Sequence, residues 1–232
     1  MWDEAGLMVG SYLLGAFPFM YLIGRLHGID LREYDDMHLA LWRNVNRLEG
    51  LAGILFDFAK GVIAVLVARA FDFEPGWVAF AGVAAVAGQM WPVFLKFQGE
   101  KGNTIGLAMS GAVATRAMGI ILIPILIGAS IRTIPRLMRP NQTVNERLKL
   151  GGPPSLSLPL AMAVAFAVLP LAAWLVGQPL SVIISFVVLF VLIMVRRATA
   201  GIRQDIHLPS RKLRRMGNRL LYDRSEIEVE AS

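Results

Sequence analysis

The sequence contains no cysteine and little charge. Without a thiol, neither a disulfide nor a thiolate metal site can form, and cysteine usage gives no reading of the redox compartment. Only 17% of the residues are charged, against 56% hydrophobic, and the charge falls between long apolar blocks. A basic leader is missing as well: the chain opens with Asp3 and Glu4 and runs into an apolar segment, so no cleavable signal is expected. Internal repeats and low-complexity tracts are absent. The lack of inverted repeats and paired broken helices weighs against a transporter or channel, a reading suggested only by Asp57 and Lys60 inside a span. The net charge of +6 sits in the links between apolar blocks and in the tail. That distribution fits cytoplasmic loops on a membrane surface and not a nucleic-acid partner.

What is present is a series of apolar blocks near the length that crosses a bilayer, which defines an all-α polytopic membrane protein. Seven spans are expected, over about residues 6–24, 51–70, 77–97, 104–115, 118–131, 156–176 and 180–195. Pro18 falls inside the first and predicts a kink, because neighbouring helices can re-satisfy the backbone group that proline frees. The fourth is too short to cross the hydrocarbon unless protein supports it, and merging it with the fifth into one hairpin would change the parity. A polar loop is expected over 132–154, with Arg132, Arg136, Arg139, Arg147 and Lys149. The domain reading is a membrane unit over 1–200, then a charged cytoplasmic tail over 201–232. Most Lys and Arg lie after the first, third and fifth spans and in the tail. The positive-inside rule therefore predicts an N-terminus outside and a C-terminus in the cytoplasm.

Two groups of residues carry chemistry. Asp57 and Lys60 lie one turn apart within a span, so they should face the protein interior and compensate each other, as a structural ion pair or as part of a site. The stretch GQMWPVFLKFQGEKGNTIG, residues 88–106, ends an apolar run, breaks at Trp91-Pro92 and passes Gly99, Glu100, Lys101 and Gly102 before the next apolar segment. A helix that starts there offers unpaired backbone N–H groups and the positive end of its dipole, and Lys101 adds a full charge. The loop suits a phosphate. It also reads as a plain interhelical turn, with Lys101 reaching a lipid headgroup.

These blocks carry a resemblance. Tyr12-Leu13-Leu14-Gly15, Pro18-Phe19 and Tyr21-Leu22-Ile23-Gly24, then Gly28-Ile29-Asp30-Leu31-Arg32, resemble the opening of the bacterial glycerol-3-phosphate acyltransferases that use acyl-phosphate, the PlsY type. Asp57 with Lys60-Gly61 is similar to that family's second-helix signature. Met90, Pro92-Val93-Phe94-Leu95-Lys96-Phe97, Gly99 and Lys101-Gly102 are similar to its phosphate loop. The likeness is strongest over the first 110 residues and keeps the family's order and spacing. It implies a multi-pass protein of the inner (plasma) membrane, its active-site loops on the cytoplasmic face. The implied reaction moves an acyl group from acyl-phosphate to glycerol 3-phosphate, giving lysophosphatidate for phospholipid synthesis. No cofactor is implied, and a monomer acting among membrane lipids is expected.

By the same resemblance Asn44, Arg47, Lys101 and Ser155 are the candidate catalytic residues. Gly99, Lys101, Gly102, Arg43 and Arg47 are the candidate phosphate ligands. The departures are concentrated at the family's active-site motifs. Where its first motif reads Gly-Ser-Gly-Asn, this chain has Asp35-Asp36-Met37-His38; its histidine before the phosphate loop is Gln89; its second loop glycine is Glu100; and Ala200 lies where its third motif is expected. Three added carboxylates repel a dianionic phosphate unless they pair with Arg43, Arg47 or Lys101, in which case they occupy the cations that phosphate needs. The alternative reading is therefore a catalytically impaired paralogue that binds a lipid or a partner protein. His38 reads as a solvated loop histidine, and the Asp36–His38 spacing gives no metal site.

Overall fold

The structure, a computed structural model, describes residues 2–34, 37–138, 156–200 and 212–223. The described residues form ten α-helices: α1 (Trp2–Ala16), α2 (Phe19–Leu26), α3 (Met37–Asn44), α4 (Arg47–Ala70), α5 (Pro75–Met90), α6 (Asn103–Val113), α7 (Thr115–Leu137), α8 (Ser157–Leu175), α9 (Leu180–Thr199) and α10 (Lys212–Tyr222). Six stretches are helical, long and apolar enough to cross a membrane: Trp2–Leu26, Arg47–Ala70, Pro75–Leu95, Thr115–Pro135, Ser157–Leu175 and Leu180–Thr199. The remaining expected span, the fourth (104–115), is α6. Its 11 residues rise only about 16 Å.

The reason α6 is short lies beside it. Gly61 of α4 packs against Ile105, and Arg69 at the end of α4 donates to the Val113 carbonyl at the end of α6. The two helices run side by side over the second half of α4 only. The loop that precedes α6 is thus let into the bundle to about the depth of Asp57 and Lys60, and α6 covers the remaining half.

Two further expectations are corrected. Pro18 breaks the first span into α1 and α2 instead of kinking one helix. The carbonyls of Gly15 and Phe17 exposed at the break accept from the Lys60 ammonium, at 3.2 and 3.4 Å. Helix α7 continues to Leu137 with Pro124 and Pro135 inside it, so residues 132–137 belong to a helix and not to a polar loop. The rest of that expected loop lies outside the described residues, apart from Met138.

Helix association in lipid depends on close packing more than on the hydrophobic effect, and small residues set the contacts. A Cβ on Gly15 would lie 1.9 Å from the Ala85 carbonyl oxygen, and one on Gly88 would lie 2.0 Å from that of Tyr12. The α1–α5 seam therefore has no room for a side chain at either position. Gly128 of α7 meets Ala161 and Ser157 of α8 in the same manner, and the Ser157 hydroxyl donates to the Gly128 carbonyl at 2.9 Å. Phe166, Leu169, Phe186, Leu189 and Ile193 fill the centre between α8, α9, α5 and α6. The tail helix α10 packs on α8 and α9, with Arg219 donating to the Ala200 carbonyl and Arg197 to that of Leu220.

Candidate functional site

The phosphate-loop candidate is built by backbone demands. Beyond α5 the chain turns through Pro92 and a short 3-10 turn (Val93–Leu95), and Lys96 and Phe97 both take positive φ, 53° and 62°. It then folds back so that the Glu100 N–H donates to the Gln89 carbonyl at 3.2 Å. Gly99 lies against that end of α5, where a Cβ would meet the Gln89 oxygen at 2.0 Å. Gly102 has φ +74° and a Cβ there would meet Met90, so both the dihedral and the packing require glycine. Gly102 is also the N-terminal residue bounding α6, and no side chain caps that end. The first N–H groups of α6 are therefore available to an acceptor.

Arg196, near the end of α9, holds the loop from the opposite side. Its guanidinium donates to the Glu100 carbonyl at 3.1 Å and to that of Gly99, and it lies 6.0 Å from the Trp91 ring centroid. Tyr12 donates to the Trp91 carbonyl at 2.6 Å. Arg197 is 1% exposed and reaches Asn103 Oδ1 at 3.4 Å and the Pro159 carbonyl at 3.1 Å.

Beneath the loop lies a buried polar cluster. Lys60 Nζ is 2.7 Å from Asp57 Oδ1. The other carboxylate oxygen of Asp57 is 2.6 Å from Gln89 Nε2 and 3.3 Å from His38 Nε2. Glu100 Oε2 is 3.1 Å from each of the same two nitrogens. One imidazole and one amide thus join two carboxylates from α4 and the loop. Burial pushes the Glu100 carboxyl up, but His38, Lys60 and the Gln89 amide outweigh it and hold the group below its ordinary value.

The sequence-predicted residues divide into two groups. Gly99, Lys101 and Gly102 are in the loop, while Lys101 Nζ points to the tail and pairs with Asp223, 3.1 Å from its carboxylate and 3.2 Å from its carbonyl. Arg43, Asn44 and Arg47 are exposed at the α3–α4 junction. None of them lines the narrow cleft bounded by the α1–α2 break, Asp57, Lys60, Gln89, Gly99 and Glu100. Arg47 starts α4, ten residues before Asp57, so it lies about 15 Å away along the axis. Ser155, Asp35 and Asp36 lie outside the described residues. Glu100 pairs with His38, not with Arg43, Arg47 or Lys101, and His38 is a half-buried member of the cluster and not a solvated loop residue. Sequence reasoning missed Arg196, which was one basic residue among many at the end of a span, and it missed Gln89 as a bridge. The signal for Gln89 was the need of a buried Asp57 for donors beyond Lys60; Arg196, which serves loop carbonyls, had none.

The profile of the family described as glycerol-3-phosphate acyltransferase matches residues 5–204. The chain belongs to that family. Among curated members, glycerol-3-phosphate acyltransferase 4 of Dehalococcoides mccartyi is 42% identical over 112 residues, 47% of this chain and 60% of the relative. The enzyme of Prochlorococcus marinus is 45% identical over 98 residues, 40% of this chain and 48% of that one. The chain thus spans about half the length of the curated relatives it matches. A crystal structure of PlsY (YgiH), an integral membrane glycerol 3-phosphate acyltransferase in its glycerol 3-phosphate form, superposes with a TM-score of 0.67 at 24% identity. The match covers 90% of this chain and 95% of that one. The lysophosphatidic acid form superposes with a TM-score of 0.65. At this identity the likeness shows the fold, that of a multi-pass integral membrane protein.

Proposed function

We propose that the protein is a membrane glycerol-3-phosphate acyltransferase that takes its acyl group from acyl-phosphate and releases lysophosphatidate. The observation that carries the reading is the loop 91–102, let into the bundle, tied by Arg196 and opening the uncapped α6. That combination is a receptor for an anion inside a membrane protein. Lys101, Gly99 and Gly102 are the phosphate-binding set, Arg43 and Arg47 are further phosphate ligands that form a basic entrance on the same side, and Asn44 between them is a hydrogen-bond donor. The cleft beside the loop, bounded by Phe17, Phe19 and Met20, offers an apolar wall to an acyl chain. Ser155, which precedes α8, is a further hydrogen-bond donor on this reading.

Acyl-phosphate is already activated. The acceptor hydroxyl oxygen attacks the carbonyl carbon, the bond from that carbon to the phosphate oxygen breaks, and inorganic phosphate departs, a phosphate dianion taking up the hydroxyl proton. The protein has to hold two phosphates close together and stabilise the oxyanion, tasks of positioning and charge. No protein nucleophile is needed.

With the N-terminus outside and the C-terminus in the cytoplasm, seven crossings follow, α6 completing a crossing that the loop begins. The loop, the Arg43–Arg47 entrance and the tail 201–232 then share the cytoplasmic side of the inner membrane, where soluble glycerol 3-phosphate is supplied. A single chain builds the cleft, so a monomer suffices. Donor choice tests this reading: purified protein offered acyl-phosphate, acyl-CoA or an acylated carrier protein should acylate glycerol 3-phosphate only from the first. Equal transfer from acyl-CoA would overturn the donor assignment.

The impaired-paralogue reading has specific support in Asp223, which engages Lys101, and in Glu100, a carboxylate inside the phosphate loop. It predicts binding of lysophosphatidate without turnover.

A further inference from the structure

The polar cluster under the loop has the donors of a cation site. His38 Nε2 is 3.3 Å from Asp57 Oδ2 and 3.1 Å from Glu100 Oε2, and one ligand atom from each of the three side chains lies within 4.8 Å of the others. A tetrahedral zinc ion with bonds near 2.0 Å spaces its ligands about 3.3 Å apart. We propose that His38, Asp57 and Glu100 bind one divalent transition-metal cation of the zinc class, which joins α3, α4 and the phosphate loop and leaves a coordination position for a phosphate oxygen.

A separate observation comes from Gln89. It is 5% exposed, its amide lies against both carboxylates, and its Oε1 has no hydrogen-bond partner. A half-turn of the amide exchanges oxygen and nitrogen. As placed, the amide nitrogen donates to both carboxylates; with a cation bound between them, that half-turn would bring the unpartnered Oε1 to the ion. Glu100 Oε1 is likewise buried without a hydrogen bond.

Charge supports the same site. Lys60 matches one oxygen of Asp57, and among the described residues no lysine or arginine side chain is in ion-pair contact with the Glu100 carboxylate. Arg196 reaches only the Glu100 backbone. Lys60 on Asp57 and Arg196 on the loop carbonyls are the outer contacts that hold ligands in place around a metal. His38 and Glu100 are, besides, two departures from the family pattern that meet each other in space. A divalent cation between them turns a carboxylate that repels phosphate into a ligand of the ion that attracts it. This last step rests on the acyltransferase reading; the metal site itself does not.

The test uses the full chain, purified in detergent, stripped with a chelator and given Zn2+ or Co2+ with no substrate present. The expected result is one Zn2+ per chain by elemental analysis and a tetrahedral Co2+ absorption spectrum. His38→Gln and Glu100→Gln should each weaken Zn2+ by more than about tenfold, while His27→Gln, which alters an exposed histidine, should leave it unchanged. Size exclusion checks that the variants fold. Wild-type protein without stoichiometric Zn2+ and without the Co2+ spectrum, or equal binding by the cluster variants, would overturn the proposal and leave the cluster a plain hydrogen-bonded ion network. Because no acyl donor is present, failure of the acyltransferase reading is measured separately.

Discussion

At the level of single residues, Lys60 is tightly constrained. It is 3% exposed within a span, and its ammonium is shared between Asp57 and the two carbonyls exposed at the Pro18 break. Lys60→Met leaves the Asp57 carboxylate buried and without its cation, which costs about 3–5 kcal/mol. Folded yield in detergent should fall sharply, and Asp57→Asn added to Lys60→Met should restore much of it; a single variant as well folded as wild type would contradict the account. Lys101 differs, since its partner Asp223 is on the tail. The pair contributes about 0.2–1 kcal/mol, so Asp223→Asn should tighten glycerol 3-phosphate binding no more than about fivefold, measured by titration calorimetry. Weaker binding would mean that Asp223 supports the loop and does not compete for Lys101. The Asp57, Lys60 spacing was legible in the sequence because one helical turn joins them. The contact of His38 with Glu100 was not, because α3 is short and 62 residues separate the two, a distance that only the tertiary fold closes.

At the level of elements, the glycines of the α1–α5 seam and of the loop do different work. Gly88→Leu must push α1 from α5, and a melting temperature well below wild type is expected; Gly99→Ala should perturb the loop against Gln89 and lower phosphate affinity with little change in melting. Unchanged melting for Gly88→Leu would show that the seam can open. The long apolar blocks announced their helices, with ends mostly within a few residues. Pro18 was legible as a perturbation but not as a break, since the choice depends on whether a donor such as Lys60 lies opposite the exposed carbonyls. The end of α7 was misread because Arg132 and Arg136 look like loop residues, although Pro135 and both arginines lie in the final turns of one helix.

At the level of the whole molecule, the fold follows from the order of apolar blocks and the family from motifs such as Asp57 with Lys60-Gly61 and the glycine-lysine loop, while the site depends on how deeply the loop 91–102 enters the bundle. Hydropathy does not record that depth; α6 hinted at it only by being short. Orientation can be measured directly because the chain has no cysteine. Single cysteines at Leu48 and Phe71, both exposed at opposite ends of α4, should react with a membrane-impermeant maleimide from the cytoplasmic and the outer side respectively. The reverse pattern would contradict the proposed topology. The central claim is catalysis, and one measurement addresses it most directly: lysophosphatidate formed from acyl-phosphate and radiolabelled glycerol 3-phosphate by the purified wild type, with Lys101→Ala and Arg196→Ala alongside. The account predicts product from the wild type and a loss of about 100-fold or more when either cation that serves the loop is removed; folded wild-type protein that forms no product would contradict it.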